Sequence, residues 1–155
     1  MSKAEPEFDK SKAHRYFAVA CFNKAWELID KQDRTAEENE EMIRLTQASI
    51  WHWTQREDCK GSNLSIGYWQ ASRVFAIIGR VEDARRYGKL CLKHSQQEQP
   101  FYLGYAYEAL ARAEKLAGNA DLMASYLANA TRLAHQIDEA DDRKALLDDL
   151  NSISE

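Results

Sequence analysis

Chain breakers are scarce here, and they are regularly placed. Of two prolines and six glycines in 155 residues, Pro100, Gly61, Gly79 and Gly118 fall between stretches whose apolar residues recur every three or four positions. That recurrence matches the turn of a helix, and no stretch alternates apolar and polar residues long enough to make a strand. The expected fold is therefore all-α. The periodicity predicts helices over 9–31, 35–57, 62–78, 81–96, 100–117, 121–137 and 141–153. Their starts carry capping chemistry. Thr35 with Glu38 forms a capping-box pattern, Ser62 is placed to cap the third helix, Pro100 suits a first turn, and the acidic run 138–142 complements the last helix's dipole.

The joints are short, so neighbouring helices must turn back as antiparallel hairpins. The reading is one domain, 1–155, with a loosely held or disordered start (1–8), hairpins over 9–57, 62–97 and 100–137, and a capping helix over 141–153. Its Leu146, Leu147, Leu150 and Ile153 share one face and its aspartates the other, as a cap on an open stack requires. The fourth helix lines up Ala84, Gly88, Cys91 and Ser95, small residues that let another helix come close.

A chain with 45% hydrophobic and 30% charged residues can bury one sizeable core and keep a wet exterior. The net charge of -4 argues against general nucleic-acid binding. Cys21, Cys59 and Cys91 form no C-x-x-C pair, so a zinc knuckle or redox motif is not expected; sparse cysteines fit a reducing compartment, with Cys21 and Cys91 in the core. The charged start resembles no signal peptide, and the run YFAVACF is too short for a bilayer. The expectation is a cytoplasmic protein with no cofactor, no metal and no membrane or nucleic-acid partner.

The segment GYWQASRVFAIIGRVEDARRYGKLCLK aligns with GYAYEALARAEKLAGNADLMASYLANA, turn glycine on turn glycine. In both, aromatics and small residues precede the glycine and a second helix follows it. This pattern resembles a tetratricopeptide repeat. The likeness holds at Tyr68, Ser72, Phe75, Gly79, Ala84 and Cys91 in one unit, and at Tyr107, Ala111, Gly118, Tyr126, Leu127 and Ala130 in the other. Glu114 replaces a preferred aromatic, Met123 replaces a preferred alanine, and the spacing from Gly79 to Gly118 exceeds the family's 34 residues. The first hairpin matches only in being a hairpin. The same strings are similar to those of short bacterial single-domain proteins of this type, which bring no activity with them. The resemblance implies three hairpins stacked as a short right-handed superhelix, with the first helix of each pair lining a concave groove.

Two helices carry more apolar surface than one core needs. Behind its core face the third helix sets Ile66, Trp69, Arg73 and Ile77 at helical spacing, and the fifth sets Tyr105, Glu108, Arg112 and Lys115. In the repeat alignment Trp69 falls opposite Glu108, and Arg73 opposite Arg112. The resemblance puts these eight residues in the groove, where arginine and tryptophan would anchor a protein or peptide segment, with a preference for an acidic or carboxylate-bearing one. The internal alternative is that Trp69 stacks on Arg73 and Glu108 pairs with Arg112 along the helix surface. The family's carboxylate clamp of lysines and asparagines is absent, so no chaperone-tail ligand is implied.

In the stretch SIWHWTQ, Trp53 shares a stripe with Met42, Leu45 and Ser49 and belongs to the core, whereas Trp51 points about 160° away. Trp51 either packs on an adjacent helix or meets a ligand. His52 lies near its helix end, where the dipole favours imidazolium, as do His94 and His135. A rival functional reading is a small-molecule sensor or enzyme with a pocket around Trp51, His52, Trp69 and Arg73. Self-association through exposed aromatics is a third. On the fourth helix Arg85, Arg86, Lys89 and Lys93 make a basic stripe around Glu82, best read as a solvated face.

Overall fold

The computed structural model describes residues 8–155. The expectation of a loose start over 1–8 therefore lies, apart from Phe8, outside the described residues. Seven helices are present among the described residues, and no strand: α1 (Lys10–Asp30), α2 (Ala36–Thr54), α3 (Gly61–Ile77), α4 (Val81–Ser95), α5 (Pro100–Ala117), α6 (Ala120–Ala134) and α7 (Ala140–Ser154).

Local chemistry sets most boundaries. Asp9 accepts the Lys12 amide at 3.0 Å and opens α1. At α2 the capping box is complete, with Thr35 Oγ1 accepting the Glu38 amide at 3.1 Å and Glu38 Oε2 accepting the Thr35 amide at 2.8 Å. Lys31 also donates to Glu38, and this bond, with the Thr35 amide, holds the carboxyl below its ordinary range. Ser62 is not the cap of α3. The helix starts one residue earlier, and Asn63 Oδ1 instead accepts the Lys60 amide at 2.9 Å. Gly79 and Gly118 close α3 and α5 with φ of 81° and 74°, a left-handed conformation that glycine adopts without strain.

Two helices stop short of their expected ends. α2 ends at Thr54, where the Gln55 and Arg56 amides bond three residues back and Arg56 turns to Asp58 and the Ser11 carbonyl. α6 ends at Ala134 for the same kind of reason, with Gln136 and Ile137 bonding three residues back. Ile137 remains buried against Leu146 and Leu150 of α7, so its apolar character serves packing beyond the helix.

Consecutive helices pair as α1/α2, α3/α4 and α5/α6, and α7 lies against α5 and α6. Among the described residues α1 touches α3, α3 packs on α5 and α5 on α7, whereas no close backbone approach joins α2 to α4 or α4 to α6; α2 reaches α4 through side chains, with Gln47 Nε2 donating to the Tyr87 hydroxyl at 2.8 Å. The layer whose backbones approach more closely follows the shorter arc, so the odd-numbered helices form the inside of the bend. Small residues allow these approaches. A Cβ on buried Gly88 would stand 2.9 Å from Leu110 Cδ2, and one on Gly104 would stand 2.7 Å from Leu146 Cδ2.

The core is rich in alanine, with Ala18, Ala71, Ala84, Ala106 and Ala130 all fully buried. Its polar members are paired. Gln70 donates to the Phe22 carbonyl at 3.0 Å, Ser49 to the Ala18 carbonyl at 2.7 Å, and Ser72 to the Ala84 carbonyl at 2.8 Å. No buried side-chain nitrogen or oxygen among the described residues lacks a partner. All three cysteines are free; Cys91 is buried, which pushes its thiol up to about 12, while Cys21 is only half-buried. No helix among the described residues is long and apolar enough to cross a membrane.

Candidate functional site

Helical spacing sets Ile66, Trp69, Arg73 and Ile77 in a row along α3, and Tyr105, Glu108, Arg112 and Lys115 in a row along α5. Contact between α3 and α5 brings the two rows together on the inner wall. An aromatic chain crosses this wall from α1 to α5. Trp26 lies 5.4 Å from Trp69, Trp69 lies 5.2 Å edge-on to Tyr105, and Tyr105 lies 5.1 Å from Phe101, centroid to centroid.

Beneath these rings sits Glu108, with none of its surface exposed. Its Oε2 accepts the Trp69 indole N–H at 2.8 Å. Its Oε1 accepts Arg112 Nη2 at 2.7 Å, Arg112 Nε at 2.9 Å and Arg73 Nη1 at 3.2 Å. A buried carboxylate is tolerable only when paired and hydrogen-bonded, and here donors from two hairpins converge on it. Glu108 is thus an internal anchor and not a residue that faces a ligand. The Arg112 pairing expected along the helix is present, but Trp69 does not stack on Arg73: its indole turns to Trp26 and Tyr105 and donates to Glu108.

Arg73 and Arg112 keep about a fifth of their side-chain surface exposed, and they share a single carboxylate. Burial, and next the neighbouring Arg112, hold Arg73 below the ordinary guanidinium range. Tyr105 donates to Asp149 of α7 at 2.8 Å; burial first, and then this bond, push its phenol well above the usual value. Lys115 is exposed and has no partner among the described residues. Ile66 and Ile77 are half-buried at the two ends of the α3 row.

Two cavities open along the wall. The first, of about 230 Å³, is a cup formed by Phe22, Ile66, Trp69, Phe101, Tyr102 and Tyr105, with Ser65 at its base. The second, of about 440 Å³, is shallower and lies between Arg73, Ala76, Ile77, Arg112, Lys115 and Leu116. Neither includes Trp51 or His52. Those two residues sit on the first hairpin with His14 and Phe17 of α1, and the structure does not bring them to Trp69 or Arg73.

Trp51 is 54% exposed and meets the His14 ring edge-on at 5.5 Å, while Trp53 is half-buried rather than a core residue. Tyr16 and Phe17 are also exposed, and self-association would have its apolar material here. His14 Nδ1 and His52 Nδ1 stand 2.9 Å apart, one donating and the other accepting. Burial, and then His14, push His52 below the ordinary imidazole value. His94 is lowered by burial and then by Lys93. At both histidines loss of water outweighs the helix dipole, which reverses the sequence-based expectation.

Sequence reasoning missed Glu114. This buried carboxylate accepts Arg85 Nε at 2.7 Å and Arg85 Nη2 at 2.9 Å, which ties α5 to α4 and holds Glu114 below its usual range. The signal was visible as a carboxylate at a position where the repeat prefers an aromatic. Arg85 is therefore withdrawn from the basic stripe of α4, which reduces to Arg86, Lys89 and Lys93, all exposed. No three His, Cys, Asp or Glu side chains among the described residues cluster closely enough to hold a metal ion. No family model matches the sequence, and neither a curated protein nor a solved structure matches it significantly.

Removing Glu108 strands two guanidinium groups and an indole N–H, so Glu108→Ala is expected to lower the unfolding free energy by about 3–5 kcal/mol. Urea denaturation checks this, and a loss below about 1 kcal/mol would show the anchor to be incidental. At His52 the folded pKa lies below the unfolded one, so the unfolded chain binds more protons on the acid side. Its contribution to stability is complete above about pH 6.5 and is lost as pH falls through the folded value. The stability lost between roughly pH 7.5 and 5.5 should shrink in His52→Asn. An equal loss in both proteins would assign the acid sensitivity elsewhere.

Proposed function

We propose that this chain is a non-catalytic interaction module of tetratricopeptide-like build, which holds a segment of a partner protein along the inner wall of its odd-numbered helices. The supporting observation is the wall itself. An apolar aromatic cup and a cationic cavity lie side by side on α3 and α5, and both rest on side chains already fixed by Glu108.

Pre-set side chains matter because each flexible one ordered on binding costs about 0.5–1.5 kcal/mol. Here Trp69 and Arg112 are held before any partner arrives. Arg73, Arg112 and Lys115 line one cavity; Glu108 pairs with both arginines and Asp149 acts on Arg73 through space, so one positive charge is left uncompensated on an acidic protein. That excess favours an acidic segment over a basic one. The cup by itself suits a side chain of a protein partner better than a drug-sized molecule. At 230 Å³ it falls below the roughly 300 Å³ at which pockets begin to enclose drug-sized ligands, yet it suits one large side chain.

A photoreactive amino acid placed singly at Tyr102, Lys115 or Arg86 tests this reading in lysate of the native cell. Tyr102 and Lys115 line the two cavities, whereas Arg86 lies on the exposed side of α4. The expected outcome is a shared crosslinked partner at Tyr102 and Lys115 that is missing at Arg86. Equal capture at Arg86, or none at either wall position, would refute the proposal.

A further inference from the structure

The two cavities differ in what they can accept, and their separation is set by the helices. Inside the aromatic cup almost every polar atom is already used. Trp69 Nε1 turns to Glu108, the Tyr105 hydroxyl to Asp149, and Ser65 Oγ to Ser95 at 2.7 Å. Only the Tyr102 hydroxyl is without a hydrogen-bond partner among the described residues. What remains is ring faces and the Ile66 side chain, a surface that gains by covering apolar or aromatic groups and gives a charged group nothing.

The cationic cavity has the opposite character. Glu108 engages Arg73 through Nη1 and Arg112 through Nε and Nη2, which leaves Arg73 Nη2 and Arg112 Nη1 without a hydrogen bond among the described residues. Lys115 stands beside them unpaired. A carboxylate is the group that matches such a set of free N–H donors.

The cavities lie about ten residues apart along both α3 and α5, roughly 15 Å at the helical rise. An extended chain covers that distance in about four or five residues. We infer that the wall reads a two-point pattern in an extended acidic peptide: one large apolar side chain seated between Ile66, Trp69, Phe101 and Tyr105, and an Asp or Glu four or five residues away against Arg73, Arg112 and Lys115. The inference rests on the interaction-module reading and adds which residues the partner must carry and how they are spaced.

Selection of a displayed library of random twelve-residue peptides on the full chain separates the two claims. The expected outcome is enrichment of a Phe, Trp, Leu or Met with an Asp or Glu four or five positions away. Enriched peptides should bind about tenfold more weakly to Tyr102→Ala and to Lys115→Glu, two variants that leave the Glu108 network intact. Peptides that are sensitive to either variant but lack this pairing would overturn the spacing and leave the module reading standing. No enrichment, or binding indifferent to both variants, would overturn both.

Discussion

Everything on the inner wall depends on a carboxylate that no solvent reaches. Dehydrating Glu108 is costly, and the cost is offset only because an indole N–H and two guanidinium groups donate hydrogen bonds to it. Ion pairs of this kind contribute little net stability compared with a well-packed apolar substitute. What Glu108 adds is position. It can satisfy Trp69, Arg73 and Arg112 together only in one register of α3 against α5, so the second hairpin and the third are locked at a single relative height. The Arg85–Glu114 pair fastens α4 to α5 on the other side of the same helix. Two buried carboxylates on α5 thus hold neighbouring hairpins where alanine-rich contacts alone would allow sliding.

The same arrangement gives the wall the surface chemistry on which the proposed function rests. Because Trp69 and Tyr105 direct their polar atoms inward or toward α7, their ring faces are left to form an apolar cup. Because two arginines share one carboxylate, part of each guanidinium remains unsatisfied at the surface. Structure and proposed function are linked through one set of hydrogen bonds: the groups that fix the hairpins also decide which parts of each side chain are left for a partner. A wall built this way needs little rearrangement to bind, which is the condition under which a modest contact area becomes useful affinity.

Much of this was legible in the sequence, because helical spacing and capping chemistry are local. Thr35 and Glu38 form the box they announce, and Pro100 opens α5. Aligning the two repeat-like units set Trp69 against Glu108, which are hydrogen-bonded in the structure. Depth was not legible. A helical wheel assigns Glu108 a direction but cannot tell whether neighbouring helices leave that direction open or roof it over with arginine and tryptophan. His52 failed for a related reason: the dipole is a property of its own helix, whereas the burial that outweighs it comes from His14 and Phe17 on another. The early ends of α2 and α6 follow the same rule. Past α6 the apolar Ile137 packs on α7, and past α2 the Gln55 and Arg56 amides bond three residues back; periodicity alone shows neither.

The most direct test of the account is amide-type hydrogen exchange at the tryptophan indoles, followed by nitrogen-resolved NMR. If Trp69 donates to a buried carboxylate, its indole proton must exchange far more slowly than that of Trp51, which is 54% exposed. The account predicts that this protection disappears in Glu108→Gln only if the wall loosens with it, and that in the native protein Trp69 is strongly protected. Exchange at Trp69 as fast as at Trp51 would mean that water reaches Glu108, and the locked wall would not exist.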